Sequence, residues 1–315
     1  MKVLITGAAG NLGSHLARHL LGSTLELRLL IHRKEMPFNT TPYHNVSVCK
    51  ADLGEPRTLT EVCAGVDCVV HCAGVLFAPR PEKFLWLTNV EYVRNLVTAA
   101  QAAGVRKIIL ISFPHVEGET SPGHPATARL DGTPASVHAR TRLAAEQYLF
   151  EACRGKPTMA VSLRAGMIYS RGILMIDAAR WLLSRRLLAV WRQPTWIHLL
   201  ALPDFLDCAT AVIQGEQISG IYNLGDDRPL TLQEFLDAAA VHWQCGRPWR
   251  LPRWTFPVAG ACCEAFAAVA GTASPLTRDF IKIGMASYVA DTTRMKRDLA
   301  PKLAYPSLKE GLVLL

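Results

Sequence analysis

The sequence has no C-x-x-C pair and no Cys/His cluster at zinc spacing, although its 315 residues include nine cysteines. An odd, unpatterned set excludes a disulfide framework. It points to a reducing compartment and buried structural thiols, with adjacent Cys262 and Cys263 as core filling. No metal site is expected. The opening "MKVLITGAAG" lacks the form of a signal peptide because its apolar run stops at Gly7, so a cytoplasmic location is expected. Also missing is an unbroken apolar run of membrane-spanning length. The most apolar stretch, "FPVAGACCEAFAAVAGTA", is interrupted by Pro257, Gly260 and Glu264 and reads as a buried helix and not a membrane span, with a membrane-facing surface as the alternative. There is no nucleic-acid motif, internal repeat, low-complexity tract or long linker. Acids are absent from "ARWLLSRRLLAVWR", with Arg180, Arg185, Arg186 and Arg192, and from "GRPWRLPR", with three more arginines. Within a net charge of +8, these stretches read either as a solvated face or as an attraction for anionic cofactors, substrates or lipid.

What is present is alternation. "KVLITG", "LELRLLIHR", "VSVCKAD", "CVVHCAG", "KIILIS" and "AVSLRAGMIY" read as strands. "NLGSHLARHLLGS", "TLTEVCAG", "VEYVRNLVTAAQAAG" and "SVHARTRLAAEQYLFEA" read as helices between them. Strands alternating with helices of this length predict right-handed βαβ units and an α/β, Rossmann-type, doubly wound parallel sheet. Runs as apolar as "KIILIS" fit burial on both faces. Residues 1–168 are assigned to the dinucleotide-binding domain. The alternation loosens afterwards, and 169–315 are assigned to a smaller substrate cap interleaved with the last sheet strands.

"TGAAGNLG" places Gly7, Gly10 and Gly13 directly after the first strand and at the start of a helix. Glycines let the backbone turn sharply and approach a pyrophosphate seated on the helix N-terminus, where Asn11 and Leu12 also fall. The second strand ends "LLIHRK", with no acid before Glu35 to accept from a ribose 2′-hydroxyl. Arg33 offers a planar cationic fork suited to a 2′-phosphate instead, so NADP is expected in preference to NAD. The cap carries Trp181, Trp191, Trp196 and many arginines. These predict either a pocket of apolar walls and anion-binding groups or simply a cap core.

With these residues in view, the chain resembles the extended short-chain dehydrogenase/reductase family, in its NAD(P)-dependent epimerase/dehydratase branch. "ADL" (Asp52, Leu53) is similar to that family's adenine-contacting turn. "HCAG" (Ala73, Gly74) is similar to its loop after the fourth strand, and Asn89 opens the helix that follows. "LRAGMIY", "YNLGDDRPLTLQEFLDAAA" and "VADTTRMKRDLAPKLAYPSLKEGL" resemble later family pieces in order and spacing. The resemblance implies a Tyr that exchanges a proton, a Lys four residues on that binds the nicotinamide ribose, and a Ser or Thr that polarises the reacting oxygen. This chain departs at all three. The Tyr position is His138 and the Lys position is Arg142. In "LISFPHVEG", Ser112 closes the strand while Phe113 or Pro114 falls where the hydroxyl belongs.

Residues four apart share a helix face, so the geometry of the pair is retained. Histidine exchanges protons at neutral pH without a lysine to activate it, and a cation at position 142 favours the neutral, base-ready imidazole. Two readings follow. One is an NADP-dependent oxidoreductase or sugar epimerase/dehydratase that moves a hydride at a carbonyl or secondary alcohol. In it His138 is the acid/base, Arg142 the ribose anchor, Ser112 a polarising donor, and a nucleotide-sugar or bulky anionic ketone the substrate. The other is a catalytically silent NADP-binding protein acting as sensor or scaffold. A homodimer is compatible with both, and a second histidine at the pocket, His115 or His198, would favour the enzyme.

Overall fold

The computed structural model describes residues 1–75, 81–270, 272, 274 and 276–315. The Val/Ile/Leu runs form seven strands of one sheet: β1 (Lys2–Thr6), β2 (Glu26–Ile31), β3 (Val46–Lys50), β4 (Cys68–His71), β5 (Lys107–Ser112), β6 (Met159–Ala165) and β7 (Gly220–Leu224). Their order is β7-β6-β5-β4-β1-β2-β3, and every pairing is parallel. Every residue of β4 and β5 is buried, because helices cover both faces of the sheet. One core lies on the side of α1 (Asn11–His19), and the other on the side of α2 (Pro56–Cys63), α3 (Tyr92–Ala102) and α4 (Val137–Cys153). The chain runs outward from β1 to β3 and then crosses back to β4. The carboxyl ends of β1 and β4 therefore diverge into the crevice where such sheets take ligands.

Sequence and structure differ in instructive places. Strand β7 comes from the second half of the chain and pairs with β6, returning residues 220–224 to the sheet. The run ending in Tyr169 splits at Gly166, and Met167–Tyr169 leaves to pair with Leu199–Ala201. A Cβ on Gly166 would lie 2.3 Å from the His198 carbonyl oxygen, so glycine permits that departure. Helix α3 is preceded by a single π-turn, Leu87–Glu91, which carries Asn89. The apolar stretch near residue 260 forms the helix Thr255–Ala270, but it is not buried: only Gly260 and Ala267 are covered. The end of that stretch, at positions 271 and 273, lies outside the described residues.

Candidate active site

Strand β1 delivers the chain into Gly7, whose φ of +68° lies in the left-handed region. A Cβ there would come 2.6 Å from the Ala73 Cα. On Gly10 it would lie 2.9 Å from the Gly7 carbonyl oxygen, and on Gly13 2.2 Å from that same oxygen. The three glycines thus let the loop close on itself and on the turn after β4. Helix α1 starts with Gly10 as N-cap and no side-chain cap. Its first-turn N–H groups, from Asn11, Leu12 and Gly13, are available to an anion over the loop. The Asn11 side chain has another task. Its Nδ2 donates to the Gly172 carbonyl at 2.6 Å and its Oδ1 accepts from the Leu174 N–H at 3.0 Å, clamping residues 172–174 to the loop. This loop, which a Cβ at any of the three positions would force open, leaves free helix N–H groups beneath it and fits a dinucleotide pyrophosphate. Gly10→Val is expected to weaken NADP and NAD alike by about tenfold or more, as a lost contact of about 1.4 kcal/mol or greater would. Calorimetric titration checks it, and an unchanged Kd would remove the loop from the binding site.

At the other end of the crevice, His32 Nε2 lies 3.4 Å from Asp52 Oδ2, and Asp52 Oδ1 accepts from the Gly54 N–H at 2.8 Å. Leu53 is buried beside them, with its carbonyl held by Asn95. Arg33 is exposed at this end, close enough for its charge to act on the Tyr92 hydroxyl. The residues read as adenosine-binding therefore meet beyond the ends of β2 and β3.

Helix α4 begins where the Ser136 hydroxyl accepts from the Ala139 N–H at 3.1 Å. The Asp279 carboxylate, from the helix Arg278–Met285, accepts from the N–H groups of Val137 at 2.7 Å and His138 at 3.2 Å. His138 is only 3% exposed, and its Nδ1 has no partner among the described residues. Its ring stands edge-on to Phe113 at 4.8 Å, and Phe113 packs in turn on His115 at 5.1 Å. Burial first, then the charges of Arg142 and His115, pulls the His138 imidazole down to about 3. Arg142 did contribute in the expected direction, but desolvation is the larger cause.

Arg142 is buried against the turn after β4: a Cβ on Gly74 would sit 2.1 Å from its Nη2. Burial lowers its pKa to about 10, with Glu146 one helical turn away opposing, so the guanidinium stays cationic at neutral pH. His71, at the end of β4, lies 2.8 Å through Nδ1 from Thr6 Oγ1, and its Nε2 is unpartnered among the described residues. Burial and Arg142 bring it to about 3 as well. Two neutral imidazoles and one buried cation therefore collect at the crevice, above β4 and β5.

Ser112 is turned away from this group. Its hydroxyl donates to Glu146 Oε1, and Glu146 is held by the fully buried Arg164, whose Nη2 is 2.6 Å from Oε2. Arg164 Nη1 is 2.6 Å from Glu117 Oε1, and that carboxylate also accepts from the N–H groups of Thr127, Ala128 and Arg129. The hydroxyl is thus committed to a buried ionic network, while Phe113 and Pro114 occupy the positions where a polarising hydroxyl was expected. Of the two other histidines, His115 joins the site through Phe113. His198 does not, since it is bonded to the Asp226 carbonyl at 2.7 Å and accepts from the Ala290 N–H at 3.2 Å.

Several site residues escaped the sequence reading. His71 opens "HCAG", and Glu146 stands four residues beyond Arg142, so both had local signals. Asp279 and Tyr288, whose ring lies 5.4 Å from that of His115, had none, being brought in across 141 or more residues. The tryptophans do not line one pocket. Trp181 is exposed, whereas Trp191 is buried, donates to Thr195 Oγ1 at 2.6 Å and packs edge-on to Phe256. Trp196 pairs in a two-residue strand with Thr231.

Comparison with known proteins agrees with this geometry. The model of the NAD dependent epimerase/dehydratase family matches residues 3–225. The ceramide reductase of Caulobacter vibrioides is 29% identical over 278 residues, covering 86% of this chain and 80% of that protein. The human (Homo sapiens) 3 beta-hydroxysteroid dehydrogenase type 7 is 27% identical over 285 residues, covering 80% and 76%. In fold, the UDP-glucose 4-epimerase of Thermus thermophilus, solved with NAD, superposes with a TM-score of 0.75 at 21% identity, covering 100% of this chain and 97% of that one.

Proposed function

Because the chain belongs to the NAD dependent epimerase/dehydratase family, we propose that it is an NADP-dependent oxidoreductase acting on a carbonyl or secondary alcohol of a bulky, largely apolar molecule. The observation that carries this reading is the buried face of α4. There His138 keeps an unpartnered ring nitrogen, and Arg142 one turn on keeps a cation against Gly74. The glycine cradle would hold the pyrophosphate and Arg142 the nicotinamide ribose. Arg33, exposed just beyond β2 where no acid precedes Glu35, would meet a 2′-phosphate. The bound nicotinamide supplies the hydride acceptor or donor.

His138 acts on the substrate oxygen. As a neutral imidazole it accepts the hydroxyl proton of an alcohol as the hydride leaves. In reduction the imidazolium gives that proton to the carbonyl oxygen as the hydride arrives, and returns to the neutral ring. Phe113, packed edge-on to His138, favours an apolar substrate body over a sugar. The named activities of the sequence relatives, reductases and dehydrogenases, support the same class.

A second reading, a dinucleotide-binding sensor or scaffold without hydride chemistry, draws on the commitment of Ser112 to Glu146. One assay separates them. Purified protein is offered NADPH or NADH with a panel of long-chain and polycyclic ketones and nucleotide-linked keto sugars. Oxidation of NADPH by an apolar ketone, with KM for NADPH about tenfold below that for NADH and the gap closed by Arg33→Ala, is the expected outcome. Equal use of both nucleotides, unaltered by Arg33→Ala, would overturn the role of Arg33. Tight binding without turnover of any alcohol or ketone would favour the sensor.

A further inference from the structure

The helix Thr255–Ala270 buries only Gly260 and Ala267; Gly260 faces Ile281 and Arg278 of the helix Arg278–Met285, and Glu264 is tied to Arg278 at 2.7 Å. On the other side Val258, Cys262, Phe266 and Val269 recur at spacings of four, four and three, which is one helical stripe. All four are exposed, Phe266 at 74% and Val269 at 90%. The chain leading into this helix continues the pattern, with Trp254 69% and Trp249 61% exposed. Large apolar side chains this open, gathered along one continuous piece of chain, mark a surface made to be covered.

The same piece is bonded to the acid-free basic stretch. Trp249–Leu251 pairs in parallel with Ala189–Trp191, and Trp249 Nε1 donates to the Arg186 carbonyl at 2.9 Å. Arg185 lies over the exposed Trp181 ring, 4.2 Å from its centroid, and Leu187 beside it is exposed. Stretches 178–192 and 246–254 hold seven arginines and no Asp or Glu. Among the described residues Arg250 pairs with Asp237, while Arg180, Arg185, Arg186 and Arg247 are outside every ion pair.

The geometry points to a peripheral docking face for an anionic lipid bilayer, made of the helix Thr255–Ala270, Trp249, Trp254 and the arginines at 180–186. Aromatic rings and aliphatic side chains enter the boundary between headgroups and acyl chains, and arginines reach back to lipid phosphates. Charge selects this occupant over a second copy of the chain, because pairing two such faces would bring two arginine clusters into one interface with no acid in either stretch to offset them. Phosphate in a nucleic acid would satisfy the arginines but leave Val258, Phe266 and Val269 uncovered. The face lies on the membrane, for no helix among the described residues is long and apolar enough to cross one.

The test is sedimentation of the full chain with vesicles of phosphatidylcholine alone and of phosphatidylcholine with an equal part of phosphatidylglycerol. Partition onto the anionic vesicles is expected to exceed that onto neutral ones by about tenfold or more, and to fall as salt rises. Arg185→Ser with Arg186→Ser should remove about tenfold of it. Phe266→Ser with Val269→Ser should lower partition on anionic vesicles by a comparable factor while keeping its salt dependence. These positions are exposed, so an unchanged melting temperature is expected and verifies that the fold is intact. Quenching of tryptophan emission by brominated lipid, reduced in Trp254→Ser and further when Trp249→Ser is added, gives an independent reading. No binding to anionic vesicles at low salt would overturn the proposal. So would binding that the Phe266→Ser/Val269→Ser variant leaves untouched, or a concentration-dependent dimer abolished by that variant without vesicle binding.

Discussion

His138→Ala is expected to lower turnover by about a hundredfold to ten-thousandfold, the usual contribution of a positioned acid or base, while leaving the Kd for NADP unchanged. The separation follows from placement. His138 stands against Phe113, while the cradle is built by Gly7, Gly10 and Gly13 and the cation proposed for the ribose is Arg142 one turn along the helix. The pH profile carries a second signature. The sequence alone predicts a titration near the ordinary imidazole value, but a ring 3% exposed, beside a buried guanidinium, is pulled down to about 3. The neutral form therefore dominates across the whole neutral range. Alcohol oxidation, which uses that form, should be level between about pH 6 and 9 and fall only as pH drops toward the lowered value. Carbonyl reduction calls on the protonated ring, so its rate should decline as pH rises through the same range. Rate profiles in both directions, for wild type and His138→Ala, provide the check. Turnover that survives the substitution, or an inflection near the ordinary imidazole pKa of about 6.5 that survives it, would make the imidazole a bystander.

Arg164→Met should cost about 3–5 kcal/mol, since it removes the fully buried cation that bonds both Glu146 and Glu117. Arg164 is 0% exposed. Its fork bonds Glu146 through Nε and Nη2 and Glu117 through Nη1, and a further Nη2 bond reaches the Arg129 carbonyl at 2.7 Å. Glu117 retains three backbone N–H donors when the arginine is lost, whereas Glu146 retains only the Ser112 hydroxyl among the described residues. The penalty should therefore concentrate on Glu146. In thermal unfolding this corresponds to a fall in Tm of about 10 °C for a chain of this size. Arg164→Lys should recover only part of it, because an ammonium cannot span both carboxylates as a planar fork does. Adding Glu146→Met to Arg164→Met should restore more than half of the loss, the non-additivity expected of a coupled pair. A single-variant cost below about 1 kcal/mol would show that these charges are stabilised some other way.

The network also explains a boundary of the sequence reading. "LRAGMIY" marks a strand, and nothing within it announces that Arg164 will lie under the crevice. "AVSLRAG" simply carries a cation where a buried strand would exclude one, and the partners that make it tolerable are 18 and 47 residues away. Ser112 illustrates the converse. Its position at the end of β5 follows from the alternation of apolar residues, but the direction of its hydroxyl depends on Glu146, delivered by the next helix.

What the sequence determined by itself is whatever rests on local periodicity and local sterics. The βαβ alternation is one such feature, since a continuous apolar run can bury itself only between two helical layers. The turn at Gly7, Gly10 and Gly13 is another, since only glycine permits those approaches, and so is the shared face of His138 and Arg142 at helical spacing. The tertiary structure alone decided properties that depend on what is packed on top. The depth of His138 set its proton affinity, because desolvation belongs to the surroundings and not to the residue. Asp279, from the helix Arg278–Met285, fixed the start of α4 from across the chain. The helix at 255–270 was left uncovered although its composition is that of a core, because apolar character draws a surface out of water without naming the surface that will meet it.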